Sequence, residues 1–306
     1  MSAAPAPADV ARDGLFTREN LDSTLAEVCA GVGLDPTGAR LLRFTNNAVF
    51  LLRSRPVVVR IVGSVSLRHR VDKVVRVARW FAEHDVPAVR LVDGLEHPVH
   101  VGPYTATVWD AVPPGGEEPR PRDLARLLRR VHSLPPPADL PAWDPLDDVR
   151  RRVDEAEGID DELAGFLRER VAGAAAAVEA LEFPLARGFV HGDAHLGNLV
   201  PSPAGPVLCD FDSSGVGPPE WDLVPFAVGV LRFGESEADY RELSRAYGFD
   251  VIGWSGFPVL REVRELKLIT SVLPIMVSSP QVRPELLRRL RDFRGGDTSA
   301  RWARYR

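Results

Sequence analysis

The chain predicts an α+β fold of two lobes, a small N-terminal lobe with an antiparallel sheet plus a helix, and a larger, mainly helical C-terminal lobe. Three observations carry this reading. Short, β-branched apolar segments crowd residues 40–62 and 88–109, apolar positions at helical spacing dominate beyond residue 120, and Pro113-Pro114-Gly115-Gly116-Glu117-Glu118-Pro119 breaks the composition between them. A chain of 306 residues is long enough to build both lobes. The expected divisions are a loose tail over residues 1–16, an N-terminal lobe over 17–112 and a C-terminal lobe over 113–306.

Taken in order, Thr17 is a plausible cap for a first helix ending near Gly31-Val32-Gly33. Strands follow over Arg40–Thr45, Ala48–Arg53 and Val57–Val62, with Ser54-Arg55-Pro56 turning between the last two. From Leu67 to His84, Val71, Val74, Val75, Ala78 and Phe81 make one buried stripe and predict a helix. Ala88–Val92 and Tyr104–Trp109 read as further strands. Beyond the linker, Leu124, Leu127, Leu128 and Val131 form an apolar face that ends at Pro135-Pro136-Pro137. More helices are expected over 146–157, 160–181, 220–232, 236–247, 258–277 and 281–292.

The chemistry concentrates in His191-Gly192-Asp193-Ala194-His195-Leu196-Gly197-Asn198 and, twelve residues after Asn198, Asp210-Phe211-Asp212. Phosphoryl transfer to a hydroxyl needs a carboxylate near the acceptor and oxygen ligands for the magnesium that bridges nucleotide phosphates. This pair of motifs offers both. Asn198-Leu199-Val200 and Pro206-Val207-Leu208-Cys209 read as short strands around Pro201–Gly205, a hairpin that folds Asp210 back beside Asn198.

The pattern H-G-D-x-x-x-x-N with D-x-D resembles the aminoglycoside phosphotransferase family and its relatives with a protein-kinase-like fold. The resemblance implies Asp193 as catalytic base, His191 as a loop-holding residue, Asn198 and Asp210 as Mg2+ ligands, and Asp212 as the second acid, in contact with metal or bonded to the loop. It sets Arg60 of Val58-Val59-Arg60-Ile61 where the family more often has Lys, and Asn46 and Asn47 in the phosphate-covering hairpin, which here has no glycine. Asp72 is the nearest acid to pair with Arg60, although Val74 also fits that place; Asp72 equally suits the positive end of its helix. Asp110 and Val112 fall at the hinge whose backbone would receive the base of ATP or GTP. Gly217-Pro218-Pro219-Glu220-Trp221-Asp222-Leu223 resembles the family's G-x-P-x-x-D-L stretch, making Asp222 a support of the catalytic loop or a cap of its own helix. His132 and His195 read as structural histidines, the latter also as a substrate-edge residue.

The implied function is transfer of the terminal phosphoryl group of ATP or GTP to a small hydroxylated molecule, possible acceptors including aminoglycosides, other antibiotics, amino alcohols and sugars. A catalytically weak, nucleotide-binding regulatory protein is the alternative. Nine acidic residues between Asp144 and Glu162 would attract a polycationic aminosugar if they lined the site; as solvated helix faces they would not. A net charge of −5, with no dominant basic run, speaks against nucleic acid as a partner. The N-terminal residues lack the features of a signal peptide, no apolar run suits a membrane, and Cys29 and Cys209 form no metal or disulfide pattern, so a reducing cytoplasm is the expected setting.

Overall fold

A computed structural model describes residues 20–44, 47–62, 65–277 and 279–305. The chain divides into two compact units: the described residues up to Glu118 together with Leu199–Asp212, and Pro119–Asn198 together with Ser213–Arg306.

In the first unit, α1 (Leu21–Gly31) precedes a sheet of β1 (Arg40–Phe44), β2 (Asn47–Leu51), β3 (Val57–Val62), β4 (Val99–Val101) and β5 (Tyr104–Asp110), with α2 (Val71–Glu83) between β3 and β4. The strand order is β1-β2-β3-β5-β4 and every pairing is antiparallel. Alternation along β3 does the sorting: Val57, Val59 and Ile61 join Leu21, Leu25 and Val28 of α1 in one core, while Arg60 takes the other face. There it stands opposite Val49 of β2 and Thr107 of β5. A two-stranded hairpin, β7 (Leu199–Val200) with β8 (Val207–Leu208), completes the unit and pairs Leu199 with Leu208.

The second unit carries α3 (Pro121–His132), α4 (Asp147–Asp154), α5 (Asp161–Glu179), β6 (Gly188–Val190), β9 (Gly215–Gly217), α6 (Val224–Phe233), α7 (Glu237–Tyr247), α8 (Phe257–Thr270) and α9 (Arg283–Arg294). Local chemistry sets several ends. Asp160 caps α5 by accepting from the Leu163 N–H at 2.7 Å, Ser236 does the same for α7, and Gly234 and Gly248 end α6 and α7 in the left-handed region.

Some expectations are corrected. Ala88–Val92 is not a strand; it contributes only isolated bridges, Ala88 with Leu208 and Leu91 with Trp109, which lie on two different partner segments and so form no continuous ladder. The helix expected from Leu67 begins as a 3-10 turn over Val65–Arg70 and becomes α-helical only at Val71. A 3-10 helix, Pro219–Leu223, likewise precedes α6, and α8 stops at Thr270 rather than running to residue 277, since Pro274 cannot continue it. Strands β4, β6 and β9 were too short to stand out in the sequence. Thr17 and Asn46 lie outside the described residues.

Candidate active site

The His191–Asn198 loop leaves β6 and is held by two residues of the 3-10 helix Pro219–Leu223. Asp222, fully buried, accepts from the His191 N–H at 2.6 Å and the Gly192 N–H at 2.8 Å, and Trp221 Nε1 donates to the Gly192 carbonyl at 2.9 Å. His132 Nε2 donates to the same carboxylate at 3.0 Å, and its Nδ1 accepts from the Tyr247 hydroxyl at 2.8 Å. Burial, with Asp222 and Glu220 nearby, pushes the Tyr247 pKa up, so the phenol keeps the proton it donates. Gly192 has φ +85°, and a Cβ there would collide with the Ser213 carbonyl, so the turn requires glycine.

Asn198, buried in a 3-10 turn over Leu196–Asn198, donates Nδ2 to the Asp193 carbonyl at 2.9 Å. That bond fixes the amide orientation and makes Oδ1 the end a cation would take. Arg264 Nη1 donates to Asp193 Oδ1 at 2.8 Å, and His195 Nε2 lies 3.8 Å from Oδ2. Burial works against the charge of Asp193, but Arg264, then His195 and Lys267, outweigh it and hold the carboxyl at about 2. His195 is itself shifted down by burial, against the pull of Asp193, which favours a neutral ring.

Arg264 and Lys267 come from α8, whose Leu260, Val263, Leu266 and Ile269 are buried. Glu265, 4% exposed, ties the helix to α6 by accepting from Arg232 at 2.7 and 2.9 Å, and also accepts from Arg261 of α8 itself at 2.6 Å.

The second acidic segment lies in the first unit. Phe211 is 1% exposed, with Phe81 of α2 edge-on at 5.0 Å and Trp109 of β5 at 6.4 Å. This plug fixes the acids on either side. Asp210 adopts φ +66°, a conformation Asp tolerates better than most residues. Asp212 Oδ1 accepts from Arg60 Nη2 at 2.7 Å, while Lys73 Nζ of α2 donates to the Asp212 carbonyl at 2.7 Å. Arg43 lies 3.7 Å from Asp210. Burial of Asp212 is more than offset by Arg60, with Lys73, so its pKa is lowered; burial of Arg60 is offset in turn by Asp212 and Asp210, so its pKa is raised. The pair is charged on both sides.

A divalent cation fits this chemistry. Asp212 Oδ2 is buried and accepts no hydrogen bond among the described residues, and the oxygen donors of Asp210 and Asp212 suit a hard ion. Among the described residues no group of three or more His, Cys, Asp or Glu could hold a metal by itself.

The remaining candidates are spread over the first unit. Asn47 opens β2 opposite Val62. At the end of β5, the Asp110 N–H donates to the Arg90 carbonyl and the Ala111 N–H to the Pro56 carbonyl, both at 2.9 Å, whereas the Val112 N–H has no backbone partner among the described residues. Asp72 sits in the first turn of α2, where the helix dipole favours an acid, and Arg60 is paired with Asp212 instead. In the second unit, Asp148 is half-buried and the other eight acids between Asp144 and Glu162 are exposed; Asp144, Asp148, Asp154, Glu155 and Glu162 each face an arginine within 3.4 Å. Sequence reasoning missed Lys73, Arg264 and Lys267. The available signal was a basic series, Arg261, Arg264 and Lys267, beside the apolar stripe of a helix.

Comparison with known proteins agrees with this architecture. Choline kinase LicA from Streptococcus pneumoniae superposes with TM-score 0.66 at 13% identity, covering 90% of this chain and 97% of that one. The GDP complex of a variant aminoglycoside 2'-phosphotransferase-IIIa gives TM-score 0.60 at 12% identity, covering 90% and 97%. Spectinomycin phosphotransferase APH(9)-Ia with ADP and spectinomycin gives 0.59 at 14% identity, covering 88% and 93%. No curated protein matches the chain. The fold is therefore the kinase-like α+β fold, and the family model described as the phosphotransferase enzyme family, APH, matches residues 40–266. The chain belongs to that phosphotransferase family.

Proposed function

We propose that the chain transfers the terminal phosphoryl group of ATP or GTP to a hydroxyl of a small molecule in a magnesium-dependent reaction. The observation that carries this reading is Asp193, an ionised carboxylate on a loop whose backbone is fixed by Asp222 and Trp221. Asp193 orients the acceptor hydroxyl and takes its proton as the oxygen attacks. An ester O–P bond forms, the β–γ bridging O–P bond breaks, and nucleoside diphosphate leaves. A carboxylate with a pKa of about 2 is a weak base, but the loose transition state of phosphoryl transfer rewards positioning above base strength. Asp210, with Asp212 and the amide oxygen of Asn198, would hold Mg2+, which supplies charge neutralisation for the phosphate oxygens. Arg60 adds positive charge from β3 and, as a guanidinium, a two-donor fork. The Val112 N–H is the base-reading donor, with Asp110 preceding it; Asn47 belongs to the strand that follows the phosphate-covering turn.

A radiolabelled transfer screen with ATP and GTP, with and without magnesium, tests the reading. Transfer that survives Asp193→Asn unchanged would sink the base assignment. Magnesium dependence unchanged in Asp210→Asn would remove the metal assignment. The second reading, a nucleotide-binding regulatory protein, is favoured by the Arg264 ion pair that occupies Asp193 Oδ1. Magnesium-dependent nucleotide binding with no turnover on any hydroxyl acceptor is its signature.

A further inference from the structure

We propose that the acceptor carries an anionic group, a carboxylate or phosphate monoester, near the hydroxyl that is phosphorylated, and that Lys267 and Arg264 of α8 receive it. The inference rests on the phosphotransferase reading and names its acceptor class. Within the second unit, Arg264 of α8 pairs with Asp193 at 2.8 Å, and Lys267 of the same helix adds positive charge that helps to lower the Asp193 pKa. Arg264 spends Nη1 on Asp193, while its Nε is buried without a hydrogen-bond partner. Lys267, one turn further along, places Nζ 5.9 Å from the Trp221 ring centroid and makes no salt bridge among the described residues. The acid with the largest influence on it, Asp148, is already paired with Arg151 at 3.1 Å.

A lysine held this way is a cation short of a counter-ion. Burial lowers its pKa to about 8, against the pull of Asp148 and Asp193, and an arriving anion relieves that desolvation. A polycationic acceptor meets the reverse: Lys267 and Arg264 repel it, and the acidic residues between Asp144 and Glu162 that would attract it are largely exposed, with five of the nine already facing arginines. Charge complementarity therefore selects an acidic hydroxy compound.

The test is calorimetric binding to the full chain at saturating ADP and magnesium, which fill the nucleotide's own phosphate subsites. D-Glycerate and gluconate are compared with glycerol, glucose, choline and kanamycin. The expected result is that an acid binds at least about tenfold more tightly than its neutral counterpart and than either cation, and that Lys267→Met removes that advantage while Lys267→Arg keeps it, as loss of a charge-assisted contact requires. Circular dichroism confirms that the variants fold, and Lys267→Gln replaces Lys267→Met if the latter does not. Tighter binding of kanamycin or choline, no preference for the acids, or a preference untouched by Lys267→Met overturns the proposal. Failure of ADP to bind, with the acid preference intact, overturns the phosphotransferase reading instead.

Discussion

The two acidic motifs are held in opposite ways. The Asp193 loop is tied by polar contacts: a buried carboxylate, Asp222, takes two loop N–H groups and a histidine, and the Trp221 indole donates to the Gly192 carbonyl. The Asp210–Asp212 segment is pinned by packing, with Phe211 between Phe81 and Trp109. The difference follows from what each must present. Asp193 has to be aimed through a turn that exposes backbone donors, which only an acceptor can satisfy when buried. Asp210 and Asp212 flank a side chain that can be sunk into a core, so apolar contact fixes both at once.

The sharpest way to break this contrast is at the carboxylate itself. Asp193→Asn is expected to lower kcat by roughly 10²- to 10⁴-fold with only the modest loss of stability that follows from removing the Arg264 ion pair, because the loop backbone is anchored elsewhere. A matching loss of stability would mean that Asp193 is part of the anchor. Next comes the plug. Phe211→Ala should destabilise by about 3–5 kcal/mol in denaturant unfolding, with Phe211→Leu recovering most of it. Little change in stability would show that packing does not hold that segment.

The polar anchor gives a smaller but more telling effect. Asp222→Asn turns an amide N–H toward loop donors and should cost about 1.5–3 kcal/mol and lower kcat together, since losing a bond to a charged group and leaving a donor buried both count. Unchanged kcat in a destabilised variant would separate the loop's geometry from Asp222. The smallest effect is one of titration. Asp193 is depressed to about 2, so the ionised form persists above that pH and is lost only as pH falls through it. The parent protein should therefore show no Asp193 limb in kcat/KM down to its acid unfolding limit. Arg264→Gln removes the strongest of the stabilising charges, so the pKa rises and an acid limb should move up toward the ordinary carboxylate range. A profile that does not move would mean that Arg264 does not set the protonation of Asp193.

What the sequence made legible was local. The H-G-D and D-F-D clusters are contiguous motifs, and the stripe of α2 and the alternation that sets Arg60 on one face of β3 repeat with the period of their own elements, so all are short-range patterns. What stayed hidden was long-range. Arg264 reaches Asp193 across 71 residues, and nothing near either residue signals the other. Lys73 is likewise distant from its partner in sequence: Asp212 supplies the acid that pairs with Arg60, and α2 supplies a further cation to the Asp212 backbone. Strands of three residues such as β6 and β9 carry too few alternations to register, and they exist because each finds the other.

Glu265 has a consequence for how such a protein could be retargeted. Because Glu265 bonds to Arg232 of α6 and Leu260, Val263, Leu266 and Ile269 are buried, α8 has anchors other than the side chains at 264 and 267. If Lys267 receives the acceptor's anion as proposed, replacing it would change the molecular company the site keeps while those anchors remain. New acceptor preferences are then one or two codons away, on a mount that stays put.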